Sequence, residues 1–288
     1  MHVPEVKAFF HTPSNTFSYV TWDPARLQAA VLDVVLDYEP ASGRTGHSSA
    51  DEIIAFVRAQ GLTVAWVIDT HVHADHLSAA PYVQSQLGGT LAIGEHIRTV
   101  QETFGALFNA GSGFARDGSQ FDHLFSEGER YRLGDIEATA IHTPGHTPAC
   151  MTHVIGDAAF VGDTLFMPDY GTARCDFPGG DAATLYRSIQ KLFALPDATR
   201  MFLCHDYKAP GRDEFAHETT VADQRARNIH VHAGISETEF VAMRTQRDAT
   251  LSMPKLILPA VQVNMRAGQL PPAENNGVRY LKIPLNAL

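Results

Sequence analysis

Apolar and polar residues alternate along the chain with two periods, one typical of strands and one typical of helices. Residues 15–22 and 28–38 are rich in β-branched and aromatic side chains, which predicts two early strands. A helix is predicted next, because Ser49 and Glu52 have the spacing of a capping box and Gly61 is expected to end the helix. The N-terminal quarter therefore combines strands with at least one amphipathic helix.

The middle and the end of the chain continue this mixture. The apolar run of residues 62–69 predicts a buried strand, and residues 76–89 predict a helix with Pro81 in its first turns. Residues 105–120 are rich in Gly and Ser and predict a mobile surface loop. The remaining predictions are a strand at 90–94, a helix at 95–104, strands between 124 and 161, a helix at 181–195, a strand at 200–207, and helices at 220–231 and 236–249.

Strands and helices thus occur as a mixed series twice, and each half begins with strands and ends with helices. Such an order predicts two sheets packed face to face with helices outside. The chain has 288 residues, of which 44% are hydrophobic, enough for one large core. We expect a single domain over residues 1–288, with a helical extension and a Pro-rich tail from about residue 218.

Composition excludes several classes of protein. Lys and Arg number 22 against 32 Asp and Glu, so the net charge is −10, which argues against binding to nucleic acid or to an anionic membrane. The sequence has no apolar run of 18 residues, and its first residues do not have the pattern of a signal peptide. Its three widely spaced cysteines, Cys150, Cys175 and Cys204, fit a reduced protein, and we expect a cytoplasmic location.

A group of metal-ligand side chains follows the apolar run at 62–69. The sequence Thr-His-Val-His-Ala-Asp-His places His71, His73, Asp75 and His76 where a strand ends and a helix is predicted to begin. A single His-x-His pair is weak evidence, because many such pairs lie on protein surfaces. Three histidines and an aspartate at one strand end favour a metal site.

Three later segments have the same character. His146 follows a Pro-Gly turn after a strand, Asp163 follows the strand that ends in Phe-Val-Gly, and His205 follows Phe-Leu-Cys. Each is a metal-ligand type at the junction of a strand and a loop, although each alone is more often a structural residue. Strand ends on one edge of a sandwich converge in space, so the four segments together predict one metal centre.

This series resembles the ligand series of the metallo-β-lactamase superfamily, from Asp69 to His205. The resemblance implies the αββα four-layer sandwich of that superfamily, with metal at the sheet edge. Fold and reaction separate readily, so it is less specific for chemistry. Carried over by position, the series gives a first metal site, a second metal site and a bridging residue: His71, His73 and His146; Asp75, His76 and His205; and Asp163.

The neighbours of these residues resemble two branches of the superfamily. The motifs Thr-Pro-Gly-His-Thr and Gly-Asp-Thr-Leu-Phe resemble glyoxalase II enzymes. The stretch from Met167 to Gly180 is closer to the persulfide dioxygenases, because Arg-Cys-Asp-Phe at 174–177 is similar to their Arg-Thr-Asp-Phe. It departs by Cys175 in place of Thr and by a longer insert before Arg174.

The persulfide dioxygenase resemblance implies one Fe(II) per chain, bound by His71, His146 and Asp163. Four further residues would then orient ligands or hold water: His73, Asp75, His76 and His205. Two histidines and one carboxylate on one face of iron leave positions open for a persulfide sulfur and O2. The implied reaction converts glutathione persulfide, O2 and water into glutathione and sulfite, which removes sulfide and persulfide, and family members are often homodimers.

Two alternatives remain open at this stage. A glyoxalase II-like hydrolase would use two zinc ions and a metal-bound hydroxide to cleave a hydroxyacylglutathione thioester. The complete ligand series fits this reading, whereas the segment after Gly-Asp-Thr-Leu-Phe does not. A metal- or thiol-binding sensor without chemistry is disfavoured, since no residue of the ligand series is missing.

Three residues are candidates for binding glutathione. Arg174 could hold a carboxylate through both arms of its guanidinium, or it could tie its own loop together through Asp176. Tyr207 and Lys208 follow the last histidine of the series and could donate hydrogen bonds to the tripeptide. Their structural alternatives are a packed tyrosine and a solvated lysine. Cys175 is expected to be a buried, inert thiol.

Overall fold

The protein is described here by a computed structural model covering residues 3–287. Its elements, in chain order, are β1 (Glu5–His11), β2 (Thr16–Asp23), β3 (Gln28–Leu32), β4 (Val35–Glu39), β5 (Arg44–Gly46), α1 (Ser48–Ala59), β6 (Thr63–Ile68), β7 (Leu77–Ser78), α2 (Ala80–Leu87), β8 (Thr90–Gly94), α3 (Ile97–Leu107), β9 (His123–Phe125), β10 (Arg130–Leu133), β11 (Ile136–His142), β12 (Met151–Ile155), β13 (Ala158–Phe160), α4 (Ala182–Phe193), β14 (Arg200–Phe202), β15 (Glu218–Thr220), α5 (Val221–Arg227), α6 (Glu237–Asp248) and α7 (Ile257–Asn264).

Two six-stranded sheets form the centre of the molecule. The first has the order β1-β2-β3-β6-β8-β9, and the second has the order β10-β11-β12-β13-β14-β15. A small third sheet has the order β5-β4-β7. Strands β3, β6, β8 and β9 pair in parallel, so their carboxyl ends lie on the same edge of the first sheet.

Three apolar clusters lie between the four layers of the fold, which are two layers of helices outside and two sheets inside. One contains residues of the first sheet together with residues of α1, α2, α3 and α7, and a second contains side chains from both sheets. The third contains residues of the second sheet, α4 and α6. This is the αββα sandwich that the sequence predicted.

Alternation along the central strands explains how one sheet serves two clusters. On β3, Val31 contacts the helix side while Leu32 contacts the second sheet, and on β6 Val67 and Ile68 divide in the same way. Successive side chains of a strand point to opposite faces. Both faces are covered, so these strands are apolar after their first residues, Gln28 and Thr63, and lack polar alternation.

The prediction of one strand over residues 28–38 was wrong. The chain forms two strands, β3 and β4, that belong to different sheets. Asp33 separates them with a φ of 52°, a backbone conformation that ends the extended run and redirects the chain. The polar side chain within an apolar run was the signal of this break.

The predicted capping box of α1 was also wrong. The N-cap is His47, without a side-chain cap, and the Ser49 hydroxyl donates instead to Asp37 Oδ1 at 2.6 Å. The predicted end of the helix agrees with the structure, since α1 ends at Ala59 and Gly61 follows with a φ of 65°. The helix predicted at 76–89 is shorter than expected, because residues 77–78 pair with β4 before α2 begins.

The segment predicted as a surface loop, 105–120, is partly ordered by the core. Helix α3 continues to Leu107, and Phe114 is buried against the first cluster. The segment after residue 218 also contributes to the core, through residues of α6 and α7. We therefore propose that this extension belongs to the same domain as the two sheets.

Candidate metal centre

Four strand ends bring the predicted ligands to one edge of the sandwich. His71 follows β6 and His146 follows β11, while Asp163 and His205 follow β13 and β14. All four residues are buried, with at most 7% of each residue exposed. Polar side chains at such burial need partners, so their convergence requires either mutual hydrogen bonds or a bound cation.

One cluster consists of His71, His146 and Asp163. Their ligand atoms lie within 4.8 Å of one another. Asp163 Oδ2 is 3.8 Å from His71 Nε2 and 3.5 Å from His146 Nε2. These separations are too long for direct hydrogen bonds, and they are suited to a shared metal ion between the three atoms.

A second cluster lies beside the first and consists of His73, Asp75, His76 and His205, again with ligand atoms within 4.8 Å of one another. His205 Nε2 is 3.4 Å from Asp75 Oδ2 and 3.3 Å from Asp163 Oδ1. Asp163 therefore offers one oxygen toward each cluster. The seven residues that the sequence singled out are all brought together, and the geometry contains donors for one or two metal ions.

Outer hydrogen bonds fix the orientation of the histidine rings. His71 Nδ1 is 3.0 Å from Thr70 Oγ1, and His146 Nδ1 donates to the carbonyl of Arg174 at 2.8 Å. His205 Nδ1 donates to the carbonyl of Asn15 at 3.1 Å. In each ring Nε2 is the nitrogen left to face the clusters, as in metal sites whose ligands are held by a second set of contacts.

Several buried atoms at the centre have no hydrogen-bond partner among residues 3–287: Nε2 of His71, His76 and His205, Nδ1 of His73, and Oδ1 of Asp163. Unsatisfied buried polar atoms are costly. Their concentration at one point fits a divalent transition metal. The Cys204 sulfur also lies within 4.8 Å of ligand atoms of Asp163 and His205, but burial raises the pKa of this thiol well above its usual range.

Burial and crowding keep the imidazoles of His71 and His73 neutral. Burial lowers the pKa of His71 and of His73 well below the usual range, and the neighbouring histidines lower it further. Burial also lowers the pKa of His205, but Asp163 and Asp75 outweigh it and raise that pKa overall. Burial opposes ionisation of Asp75, yet His205 and His76 hold its pKa well below its usual range. Neutral imidazole and ionised carboxylate are the forms that bind metal.

Sequence reasoning missed two supporting residues, Asp33 and Asn264. Asp33 Oδ1 accepts hydrogen bonds from the Thr70 amide at 2.7 Å and from His73 Nε2 at 2.9 Å. Asn264 Nδ2 donates to the carbonyls of His73 and His76 at 2.9 and 2.8 Å. The position of Asp33 in an apolar run was a usable signal, whereas nothing in the sequence marked Asn264.

A cavity of about 520 Å³ opens over the centre and is lined by Asp75, His146 and Asp163 on its metal side. Its walls are aromatic and apolar around Phe166, Tyr170 and other side chains, and volumes of this order are typical of small-molecule sites. The remaining walls include the connection between α6 and α7, residues 249–256. The cavity therefore gives a small organic substrate access to the metal centre.

The three predicted substrate residues lie in different settings. The guanidinium of Arg174 is bound to Asp176 through both arms at 2.5 and 2.6 Å, which favours its structural alternative. Tyr207 lines the cavity, with its ring 5.2 Å from that of Tyr170. Lys208 is not among the lining residues, and its ammonium lies 4.6 Å from the ring centre of Phe215. Their roles in binding substrate stay predictions.

The family model described as the metallo-beta-lactamase superfamily matches residues 32–205, more than half of the chain. The chain belongs to the metallo-beta-lactamase superfamily. The match begins next to Asp33 and ends at His205, so it spans the ligand series of the centre. Both the fold and the superfamily predicted from the sequence are thereby confirmed.

Within the superfamily, the chain is similar to proteins with different names. It is 58% identical to a protein of Burkholderia pseudomallei named "Probable metallo-hydrolase", over 98% of this chain and 99% of that one. It is 46% identical to glyoxylase B2 of Dictyostelium discoideum, over 99% and 98%. It is 29% identical to the mitochondrial persulfide dioxygenase ETHE1 of Mus musculus, over 93% and 91%.

Among solved structures, that of ETHE1 from Myxococcus xanthus superposes with a TM-score of 0.73. The two sequences are 30% identical, and the match covers 92% of this chain and all of the other. The resemblance to the persulfide dioxygenase branch, made from short motifs, thus extends over nearly the whole chain. The chain is an enzyme of this superfamily, with a cluster of His and Asp side chains that could hold metal.

The helices of the structure can be compared with the expectation that no segment of the chain spans a membrane. Among residues 3–287, every helix is too short or too polar to cross a membrane.

Proposed function

We propose that the protein is a mononuclear Fe(II) dioxygenase that oxidises glutathione persulfide. The observation that carries this proposal is the cluster of His71, His146 and Asp163 at the base of the cavity. Two histidines and one carboxylate are the ligand set of non-haem Fe(II) oxygenases. The similarity to ETHE1 proteins over more than nine-tenths of the chain supports the same reaction.

When bound, iron would supply a redox centre with open positions at which a persulfide sulfur and O2 can meet. In balanced form, glutathione persulfide, O2 and water give glutathione, sulfite and two protons. The terminal sulfur is oxidised and O2 is reduced, so no further electron donor is needed. The S–S bond breaks, and the glutathione sulfur leaves as a thiol.

The residues of this chain then have two tasks. The Arg174 carbonyl holds His146 by its Nδ1, and Thr70 holds His71, so both rings keep Nε2 toward the iron position. Phe166, Tyr170 and Tyr207 form an aromatic wall that restricts water beside the reacting sulfur. Holding both reactants at one centre removes the entropic cost of bringing them together.

Oxygen uptake tests this proposal. We expect Fe(II)-loaded protein to consume O2 when glutathione persulfide is added and to form sulfite in equal amount. His71→Ala should abolish uptake because it removes a ligand, whereas the exposed His47→Ala should leave it unchanged. Absence of oxygen uptake by the iron-loaded wild type would overturn the proposal.

A second candidate is a glyoxalase II-like thioesterase with two metal ions. The cluster of His73, Asp75, His76 and His205 favours it, because it offers a second set of donors with Asp163 between the two sets. The similarity to glyoxylase B2 supports the same alternative. Hydrolysis of S-lactoylglutathione by zinc-loaded protein with two metal ions per chain, without oxygen uptake by the iron form, would establish it.

A further inference from the structure

Four basic side chains line the cavity, in contrast to the carboxylates at the metal centre. These cavity-lining side chains are Arg174, Arg244, Arg247 and Lys255. Two of the four are neutralised within the protein, since Arg174 pairs with Asp176 and Arg244 pairs with Asp248 at 2.6 Å.

Arg247 and Lys255 are different. Among residues 3–287, neither side chain has a hydrogen bond or an ion pair to another residue, and both are exposed at the cavity. The chain as a whole carries a net charge of −10, so a cavity wall with two cations that have no acidic partner differs in sign from the overall charge of the molecule. Their common position on one cavity gives that cavity an unused positive potential.

The backbone that carries them is held firmly to the metal centre. Arg244 Nη1 donates to the Thr172 carbonyl at 3.2 Å, and Asp248 Oδ2 accepts from the Cys175 amide at 2.9 Å, which fixes the end of α6 beside the 172–176 segment. Arg174 Nη1 donates to the Ser252 carbonyl at 2.7 Å and so fixes the connection between α6 and α7. The same Arg174 orients His146 through its carbonyl.

We propose that Arg247 and Lys255 bind the two carboxylates of a glutathione-type thiol carrier and thereby select substrates that carry two carboxylates. The inference rests on the proposed function for its substrate class, and it gives Arg174 a positioning role between the metal ligand and this carboxylate site. Arginine binds a carboxylate through two parallel hydrogen bonds and lysine binds it as a point charge. The aromatic wall then lies beside the peptide, and the sulfur points toward the metal side.

A binding experiment tests the assignment without turnover. Isothermal titration of metal-loaded protein would compare S-methylglutathione with its diethyl ester, in which both carboxylates are blocked. We expect the wild type to prefer the diacid, each of Arg247→Gln and Lys255→Gln to weaken diacid binding about 10-fold, and neither to affect the ester. Raised salt should weaken diacid binding by the wild type, because exposed charges are screened.

A matched control removes a positive charge outside the cavity. Arg227, at the end of α5, pairs with Asp223 at 2.8 Å, and Arg227→Gln should leave both affinities unchanged. Equal wild-type affinity for diacid and ester, or no binding of either, would overturn the inference. Unchanged diacid binding by the Arg247→Gln/Lys255→Gln double variant would also overturn it.

The same variants separate this inference from the proposed reaction. If the double variant loses the preference for the diacid and the wild type takes up no oxygen, the carboxylate site is supported and the dioxygenase reaction is contradicted. Oxygen uptake by the double variant with a wild-type KM for glutathione persulfide would do the opposite. A raised KM at unchanged kcat is the result expected if both are correct, because binding far from the sulfur is lost equally in the ground and transition states.

Discussion

At the scale of single residues, Asp33 decides the chemical form of one histidine. The Thr70 amide can only donate, so Asp33 Oδ1 must be a hydrogen-bond acceptor. The same oxygen therefore accepts a hydrogen bond from His73 Nε2. The ring then carries its proton on Nε2, and Nδ1 is left as a free electron pair facing the centre. A carboxylate buried behind a histidine thus selects the tautomer that can bind metal.

Asp33→Asn tests the contribution of this carboxylate. The variant keeps an oxygen that accepts from the Thr70 amide and from His73 Nε2, but it loses the negative charge behind the ring, so His73 Nδ1 becomes a weaker ligand. We expect metal affinity to fall about 10- to 100-fold with the fold retained. Competition with a chromogenic chelator would measure the affinity, and circular dichroism would check the fold. Asp37→Asn, whose side chain contacts Ser49 instead, is the control and should keep the wild-type affinity. Equal affinities in all three proteins would contradict the role given to Asp33.

At the scale of elements, α7 supports the histidine loop from the far end of the chain. Asn264 is the last residue of α7 and is 2% exposed. Besides its two bonds to the carbonyls of His73 and His76, its Oδ1 accepts from the Ser78 amide at 2.8 Å. One side chain therefore satisfies three buried backbone groups of a loop that forms no regular structure until β7.

Asn264→Ala should leave those three groups without partners. We expect a loss of about 2–5 kcal/mol in the free energy of unfolding, since each unsatisfied buried group costs on the order of 1–3 kcal/mol and water recovers part of it. Urea denaturation of the metal-free protein would measure the loss. Asn276→Ala, which removes an exposed hydrogen bond to Tyr280, should change stability by less than about 0.5 kcal/mol. A similar small change at Asn264 would show that the loop does not need α7.

At the scale of the whole molecule, stability depends on histidines kept neutral in the interior. His153 is an example outside the metal centre: it is fully buried between the sheets, and its Nδ1 accepts from the Tyr131 hydroxyl at 3.0 Å. Burial lowers its pKa to about 4. The unfolded chain takes up a proton at this histidine near pH 6.5, well before the folded protein does, so acid favours unfolding.

The sign of this linkage gives a defined pH window. Above pH 6.5 the folded and unfolded states both carry neutral His153, and its contribution is constant. As the pH falls from 6.5 to about 4, this one residue should remove about 3 kcal/mol of stability. His153→Gln, which does not titrate and can still accept from Tyr131, should flatten the dependence in urea denaturation between these pH values. His47→Gln, at an exposed position, should not, and an equal slope in both variants would contradict the prediction.

Particular residues show which parts of the fold and of the metal centre could be predicted from the sequence. His71, His146, Asp163 and His205 could be grouped from sequence because each follows a strand, and strand ends at one edge must meet. The break at Asp33 was missed although its polar side chain marked it, because the apolar residues on both sides favoured one continuous strand. Contacts such as those of Asn264 depend on tertiary packing between distant segments, which leaves no local periodicity to read.

The hydrogen bonds from Asn264 to the histidine loop also have a consequence for biosynthesis. All seven ligand-type side chains have been translated once His205 is made, but α7 is translated later. A nascent chain at that stage has every donor atom and still lacks the helix that holds the carbonyls of the histidine loop. Metal that reaches the protein before α7 is made therefore meets a histidine loop whose carbonyls still lack their partner Asn264.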